Sequence, residues 1–416
     1  MSVFLQRLSA VEWPGFRGPS GNGVVATQRL PTRWSATSNI SWKIELPGQG
    51  WSSPIVVDGK IYVSSAIARE SVPDETASDP TAFDLCLLVL NAADGQLLQT
   101  VKLFKEPKSA PAIHSKNSHA SPTPLYDDGR IYVHFGHQGT ACVSTDGRVI
   151  WQNDFLGYNP VHGNGGCPIV VGGLLIFSRD GADTSEIIAL DKTTGAVAWR
   201  RPRDVIADKK FSFCTPLVLA EDARVQLILP GSNVVQSIDP SNGQEFWRVT
   251  YDGYSVIPKP IYDSGLVFIC TGYNRPSLIA IDPTGAGDVT ETHVRWQSND
   301  GIPHTPSLIG LGGSVAMVSD KGIASCFEAT TGKSLWKQRI GGNFSASPIR
   351  SGDLLYLLSE EGTCTVLDVG AEPKKLSSNV LGERSLASPA VIENDLLIRT
   401  ANALYRITDG DESLKN

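Results

Sequence analysis

Side chains able to do acid–base or hydrogen-bonding chemistry recur in short polar segments set between apolar runs. KNSH (116–119) supplies Asn117 and His119, FGHQG supplies His137, and VHGNGG supplies His162 and Asn164. SRDGAD contributes Asp180 and Asp183, YDGY Tyr254, IPHTP His304, SDKG Asp320, GGN Asn343 and GERS Arg384, while Trp51 precedes Ser-Ser-Pro. Imidazole, carboxylate, amide and guanidinium brought to one place can bind a metal, move a proton or hydrogen-bond a sugar. No HxH or HExxH spacing occurs, so local sequence gives no metal site and none is expected. The seven cysteines (86, 142, 167, 214, 270, 326, 364) are odd in number, never adjacent, and form neither CxxC nor CxxCH. Metal–thiolate and covalent haem chemistry are thereby disfavoured, and cysteines within apolar runs read as small buried hydrophobes. A lone loop histidine is more often a turn-bonding residue than a ligand, so function here depends on whether the scaffold gathers these residues.

The composition limits what that scaffold serves. The 416 residues carry a net charge of −7, with 19% charged and 41% hydrophobic residues, enough for a large core. A mildly acidic, charge-poor chain lacks the basic stripe that phosphate neutralisation requires, so no nucleic-acid partner is expected. Apolar stretches such as PIVVGGLLIF (168–177) are too short to span a bilayer. The segment MSVFLQRLSAVEWPG has one early Arg but no apolar core of a signal peptide. A cytosolic chain and an exported chain with its signal removed both remain open.

A repeat supplies the positioning elements. A small residue and a proline, an apolar run, a turn and a second apolar run recur eight times, at Pro54, Pro124, Pro168, Pro216, Pro260, Pro306, Pro348 and Pro389. A second signature follows within the unit, cleanest in ALDKTTGAVAW (189–199), SIDPSNGQEFW (237–247) and CFEATTGKSLW (326–336). Asp and Gly between apolar runs mark tight hairpins, so each unit reads as four short antiparallel strands, A to D. Four-stranded units at this period are propeller blades. The last unit holds three strands, and SWKIEL (41–46) supplies the fourth, with Trp42 matching Trp151, Trp199, Trp247, Trp296 and Trp336. The expected fold is therefore all-β: one eight-bladed propeller over 41–408, closed by strand 41–46 so that no sheet edge is left free. A Pro/Gly-rich arm (1–40) precedes it and a polar tail (409–416) follows; a monomer is expected.

Strand order assigns the chemistry to one face. B–C loops and D–A crossovers open on one side of the ring, and A–B and C–D turns on the other. The first unit spends its extra length on 66–83 and 104–120, both on the B–C/D–A side, where long loops on a rigid scaffold carry function. His114, His119, His162 and His304 fall in crossovers and His137 in a B–C loop; Asn274, Glu360 and Glu361 add to that face. His134 and His293 read as structural, and GGN and HGNGG as close backbone packing near the axis.

At residues 189–199 the repeat resembles the tryptophan-docking motif of the quinoprotein alcohol-dehydrogenase-like superfamily, and the likeness extends over about 41–408. That resemblance implies the eight-bladed architecture but not an activity, because the superfamily holds dehydrogenases carrying pyrroloquinoline quinone as well as non-catalytic scaffolds such as BamB. EWPGFRGPSGNGV (12–24) is similar to the leader of bacterial PQQ-like repeat proteins, many of them exported. The dehydrogenases hold their quinone between a tryptophan and a disulfide of adjacent cysteines. No Cys-Cys pair exists here, so pyrroloquinoline quinone is not an expected cofactor. The reading is a binding or scaffold propeller presenting a His-rich funnel to a polar small molecule, glycan or protein partner. The alternative is an enzyme in the same funnel, a quinoprotein-like oxidoreductase or a carbohydrate-active enzyme.

Overall fold

Eight four-stranded antiparallel blades surround a central axis, and each keeps strand A innermost and strand D outermost. The computed structural model describes residues 13–25, 30–69, 81–107, 109–221 and 224–409. Part of the first-unit insertion (70–80) and most of the C-terminal tail lie outside the described residues. Blades 1 to 7 span 55–107, 125–153, 169–202, 217–250, 261–298, 309–339 and 349–380. Blade 8 combines Ala390–Ile392, Asp395–Arg399 and Ala403–Ile407 with Ile40–Glu45, which pairs antiparallel with Ala403–Ile407 as its outer strand. The ring thus closes through a strand from the start of the chain, as its tryptophan register implied.

Burial follows position in the blade. Strands B and C are covered on both faces by neighbouring blades, so Ile61–Val63 and Leu85–Leu90 are buried without alternation. The outermost strand of blade 3, Val197–Pro202, instead alternates exposed and half-buried residues. The repeated tryptophans tie adjacent blades. The indole N–H of Trp42, Trp151, Trp199, Trp247 and Trp296 donates to a carbonyl in the next C–D turn, at Ala92, Lys192, Pro240, Pro283 and Ala329. A glycine in that turn meets the ring. At Gly195, whose φ is +74°, an added Cβ would lie 2.5 Å from Trp151, which explains the T-G in the repeat.

The small residue of each repeat has its own physical cause. Just before strand A, the loops of six of the eight blades bury a backbone N–H near the axis, and the next blade's side chain accepts it. Ser53 donates to Thr123 Oγ1 (2.9 Å), Thr123 to Cys167 Sγ (3.2 Å), and Cys167 to Thr215 Oγ1 (2.9 Å). Beyond blade 4, Lys259 donates to Ser307 Oγ (3.0 Å), Ser307 to Ser347 (3.0 Å), and Ser347 to Ser388 (2.9 Å). This register corrects the repeat alignment in blade 6. Ser307-Leu308, not Thr305-Pro306, occupies the position of Ser53-Pro54, and the inner strand begins at Ile309. Lys259 is the one cation at a position otherwise held by hydroxyls and a thiol.

Two features were not legible as separate elements. The 280–296 excursion gives blade 4 a fifth strand, Gly287–Asp288, parallel to Glu245–Thr250. More consequentially, the arm lies inside the ring. Trp13 exchanges backbone hydrogen bonds with Val56 of blade 1 (3.0 and 2.9 Å), and Pro14 O accepts the Tyr126 amide of blade 2 (2.7 Å). Val24–Val25 then pairs parallel with the inner strand of blade 7. Trp13 is fully buried, and Arg17 donates from Nη2 to Leu308 O (2.6 Å). The arm therefore crosses the axial channel, touching the inner edges of blades 1, 2, 6 and 7.

Candidate functional site

The crossovers leading into the A strands open into a cavity of about 670 Å³ on the axis, on the B–C/D–A face. Its wall is aromatic around Trp51, Phe211, Phe213, Tyr254 and Tyr273. Phe16 of the arm lines it, and so do the buried axial-ring residues Ser53, Thr123, Ser347 and Ser388. The same loops that bury their amides through the ring therefore also line the cavity. Aromatic surface with a few convergent polar groups is the usual composition of a small-molecule site.

Of the residues singled out from sequence, Trp51, Asn117, His162, Tyr254 and Asp320 line this cavity, together with His114. His162 has φ +68°, a conformation that a non-glycine residue holds only where its surroundings enforce it. Its carbonyl accepts from the His114 amide (3.2 Å) and Asn117 Nδ2 (2.8 Å), which pins the blade 1 crossover to that of blade 2. The two imidazoles meet edge to face at 5.6 Å. Burial, and then the neighbouring His114 charge, lowers the His162 pKa, which favours neutral imidazole. Asp320 Oδ2 accepts the His304 amide (2.7 Å), and the His304 ring packs against Tyr273 at 4.5 Å, tilted by 42°, with its Nδ1 buried and unpartnered.

The remaining candidates are placed elsewhere. His119 and His137 flank the buried Glu106, with ring nitrogens 3.7 and 3.3 Å from its carboxylate oxygens. Burial alone pushes that carboxyl up. Hydrogen bonds from His119 and His137, and then their charge, outweigh it and bring Glu106 down to about 2. Asn164 holds the far side of His137 (3.1 Å) and accepts from Tyr158 OH (2.7 Å). Gly136 is required beside it, since an added Cβ would fall 1.9 Å from the Asn164 amide. Asp180 lies buried between blades 3 and 4 in a forked ion pair with Arg203, Oδ2 to Nη2 at 2.8 Å and Oδ1 to Nε at 2.9 Å. Asp183 is exposed and accepts the Asn159 amide (2.9 Å). Asn343 sits on the rim, bonded to Glu361 (2.8 Å), and Asn274 accepts from Tyr254 OH (3.1 Å). Arg384 lies over the Trp51 ring, its guanidinium carbon 5.7 Å from the centroid.

Sequence reasoning missed Phe16, Lys209, Phe211, Phe213 and Tyr273 as lining residues. KKFSF (209–213) stands in the same crossover position as the segments that were chosen, and the repeat register would have found it. Phe16 had no such signal, because the arm lies outside the repeat.

Beside the axial ring, Lys259 is buried at 6% exposure and packs against Gly21 of the arm. Burial, and then the Arg17 charge, brings it down to about 8 from the usual 10.5. Between these values the unfolded chain binds more protons at this site, so the contribution of Lys259 to stability rises with pH across the window, by about 1.4 kcal/mol per unit. The buried cysteines, whose thiols burial pushes up, lower stability over the same window in any variant. Urea unfolding from pH 8 to 10.5 is therefore expected to show the stability of the unchanged protein rising relative to that of Lys259→Met. An equal slope in the variant would contradict the assignment.

The quinone of the dehydrogenases does not fit these residues. All seven cysteines are free and buried, at separate positions. The cavity wall offers the single carboxylate Asp320. Among the described residues no group of three or more His, Cys, Asp or Glu is placed to hold a metal ion.

The fold is similar to BamB from Moraxella catarrhalis, at 14% identity and TM-score 0.59 over 89% of this chain and 97% of that one. It is also similar to a europium-containing methanol dehydrogenase (10%, TM-score 0.66, 95% and 98%) and to the computationally designed Ika8 protein (12%, TM-score 0.59, 88% and 99%). A comparison with curated protein sequences returns no match. The sequence model of the PQQ_2 family, described as outer membrane protein assembly factor BamB, matches residues 84–322 and 293–373. That span exceeds half of the sequence, and the chain belongs to this family of PQQ-like repeat β-propellers.

Proposed function

We propose that this chain is a ligand-binding propeller whose axial cavity takes a saccharide ring. One observation carries the reading: the cavity wall combines flat aromatic side chains with serine and threonine residues, among them those of the axial ring. A sugar presents that complement, with C–H faces that lie against aromatic rings and hydroxyls that exchange hydrogen bonds with Ser and Thr. The family description supports a second reading, a scaffold for a protein partner. Phe155 and Ile206, 87% and 95% exposed on the crossovers after blades 2 and 3, would give such a partner apolar contacts.

Calorimetric titration with neutral and acidic monosaccharides is expected to yield at least one binder. Trp51→Ala and Phe213→Ala should each weaken it by roughly tenfold, the worth of one aromatic contact, with thermal unfolding as the control for folding. Binding indifferent to both changes, or no binding across the panel, would remove the saccharide reading and leave the protein-partner reading first.

A further inference from the structure

A second cavity, of about 590 Å³, lies on the same face between blade 8 and the lengthened hairpin of blade 1. Trp51 and Asn117 line both cavities, so the two share a wall. Each also receives a cation that makes no ion pair among the described residues. In the first it is Lys209, whose Nζ sits 4.1 Å from the Tyr254 ring centroid and donates to the phenol oxygen (2.9 Å). In the second it is Arg384, whose guanidinium carbon lies over the Trp51 ring at 5.7 Å from its centroid and whose Nη2 donates to Ser115 O (3.2 Å). The other lysine of the first cavity, Lys116, is neutralised by Glu360 (2.7 Å). The first cavity's single carboxylate, Asp320, is engaged by the His304 amide.

From this we infer that the ligand is an acidic oligosaccharide that runs from the axial cavity past Trp51 into the second one, with uronate carboxylates on Lys209 and Arg384. The inference rests on the saccharide reading above and specifies its length and charge. A guanidinium that spends one N–H on a carbonyl keeps the rest of its fork free, and such a fork receives a carboxylate through two parallel hydrogen bonds. Asn117, at the shared wall, supplies an amide where the chain would pass. Both cations are exposed at the mouths of the cavities, where water solvates them in the free protein and a uronate chain would pair them.

Titration with galacturonic acid, its dimer and its trimer, against glucose and cellotriose, tests this. Trigalacturonate is expected to bind roughly tenfold or more tighter than galacturonic acid, and tighter than cellotriose, with affinity falling as salt rises. Arg384→Gln should remove most of the gain from monomer to trimer while leaving the monomer within about twofold, since only the longer chain reaches the second cavity. Lys209→Gln should weaken monomer and trimer alike. Equal affinity for monomer and trimer would eliminate the second cavity as a subsite. Cellotriose binding as tightly as trigalacturonate would eliminate the acidic ligand. In either case, monosaccharide binding that is sensitive to Phe213→Ala would leave the saccharide reading standing, whereas no binding by any saccharide would end both.

Discussion

Deleting residues 1–46 is expected to abolish cooperative unfolding and convert a soluble chain into an aggregating one. The deletion removes Ile40–Glu45 and leaves the Ala403–Ile407 strand of blade 8 with a bare edge, a template for pairing between chains. It also empties the axial channel, from which Trp13, fully buried, and Val25 contribute to the core of blades 7, 8 and 1. Trp13→Ala isolates the second effect and should cost about 3–5 kcal/mol in urea unfolding, the usual range for a buried tryptophan truncated to alanine. A truncated chain that stays soluble and monomeric with an unchanged melting transition would refute both the closure and the plug.

The other large effect lies at Asp180. Its carboxylate and the Arg203 guanidinium are each at most 1% exposed, and Arg203 Nη1 also donates to Leu229 O (3.0 Å). Asp180→Asn leaves the guanidinium buried without its counter-charge, and stability is expected to fall by about 3–5 kcal/mol. Asp183→Asn, three residues along on an exposed turn, should change it by less than about 0.5 kcal/mol. Equal costs at the two positions would contradict the placement of Asp180 inside the blade interface.

These two aspartates show how far a candidate site can be read from one dimension. Both belong to SRDGAD, which the repeat assigns to a B–C loop, whereas in the structure the strand Leu174–Asp180 runs through Asp180 and leaves Asp183 beyond it. Nothing local separates a carboxylate turned toward Arg203 from one turned to solvent, because the partner lies 23 residues away. The histidines divide in the same manner. His114 and His162 reach the cavity, whereas His119 and His137 turn to Glu106.

By itself the sequence determined the architecture. The period of the proline-anchored runs, the Asp–Gly hairpins and the tryptophan register encode local structure and nearest-neighbour blade packing, and a ring of like units needs little else. The strand that closes blade 8 was legible for the same reason, since Trp42 carries the repeat's own mark. Only the tertiary structure decided what the axis contains. Closing the ring brings eight crossovers, distant in sequence, around one cavity, and it leaves a channel that the non-repeating arm fills with Trp13, Phe16 and Arg17. Those contacts depend on residues some 300 positions apart, such as Arg17 and Leu308, and such pairings arise from where the ring puts its inner edges, not from any periodicity along the chain.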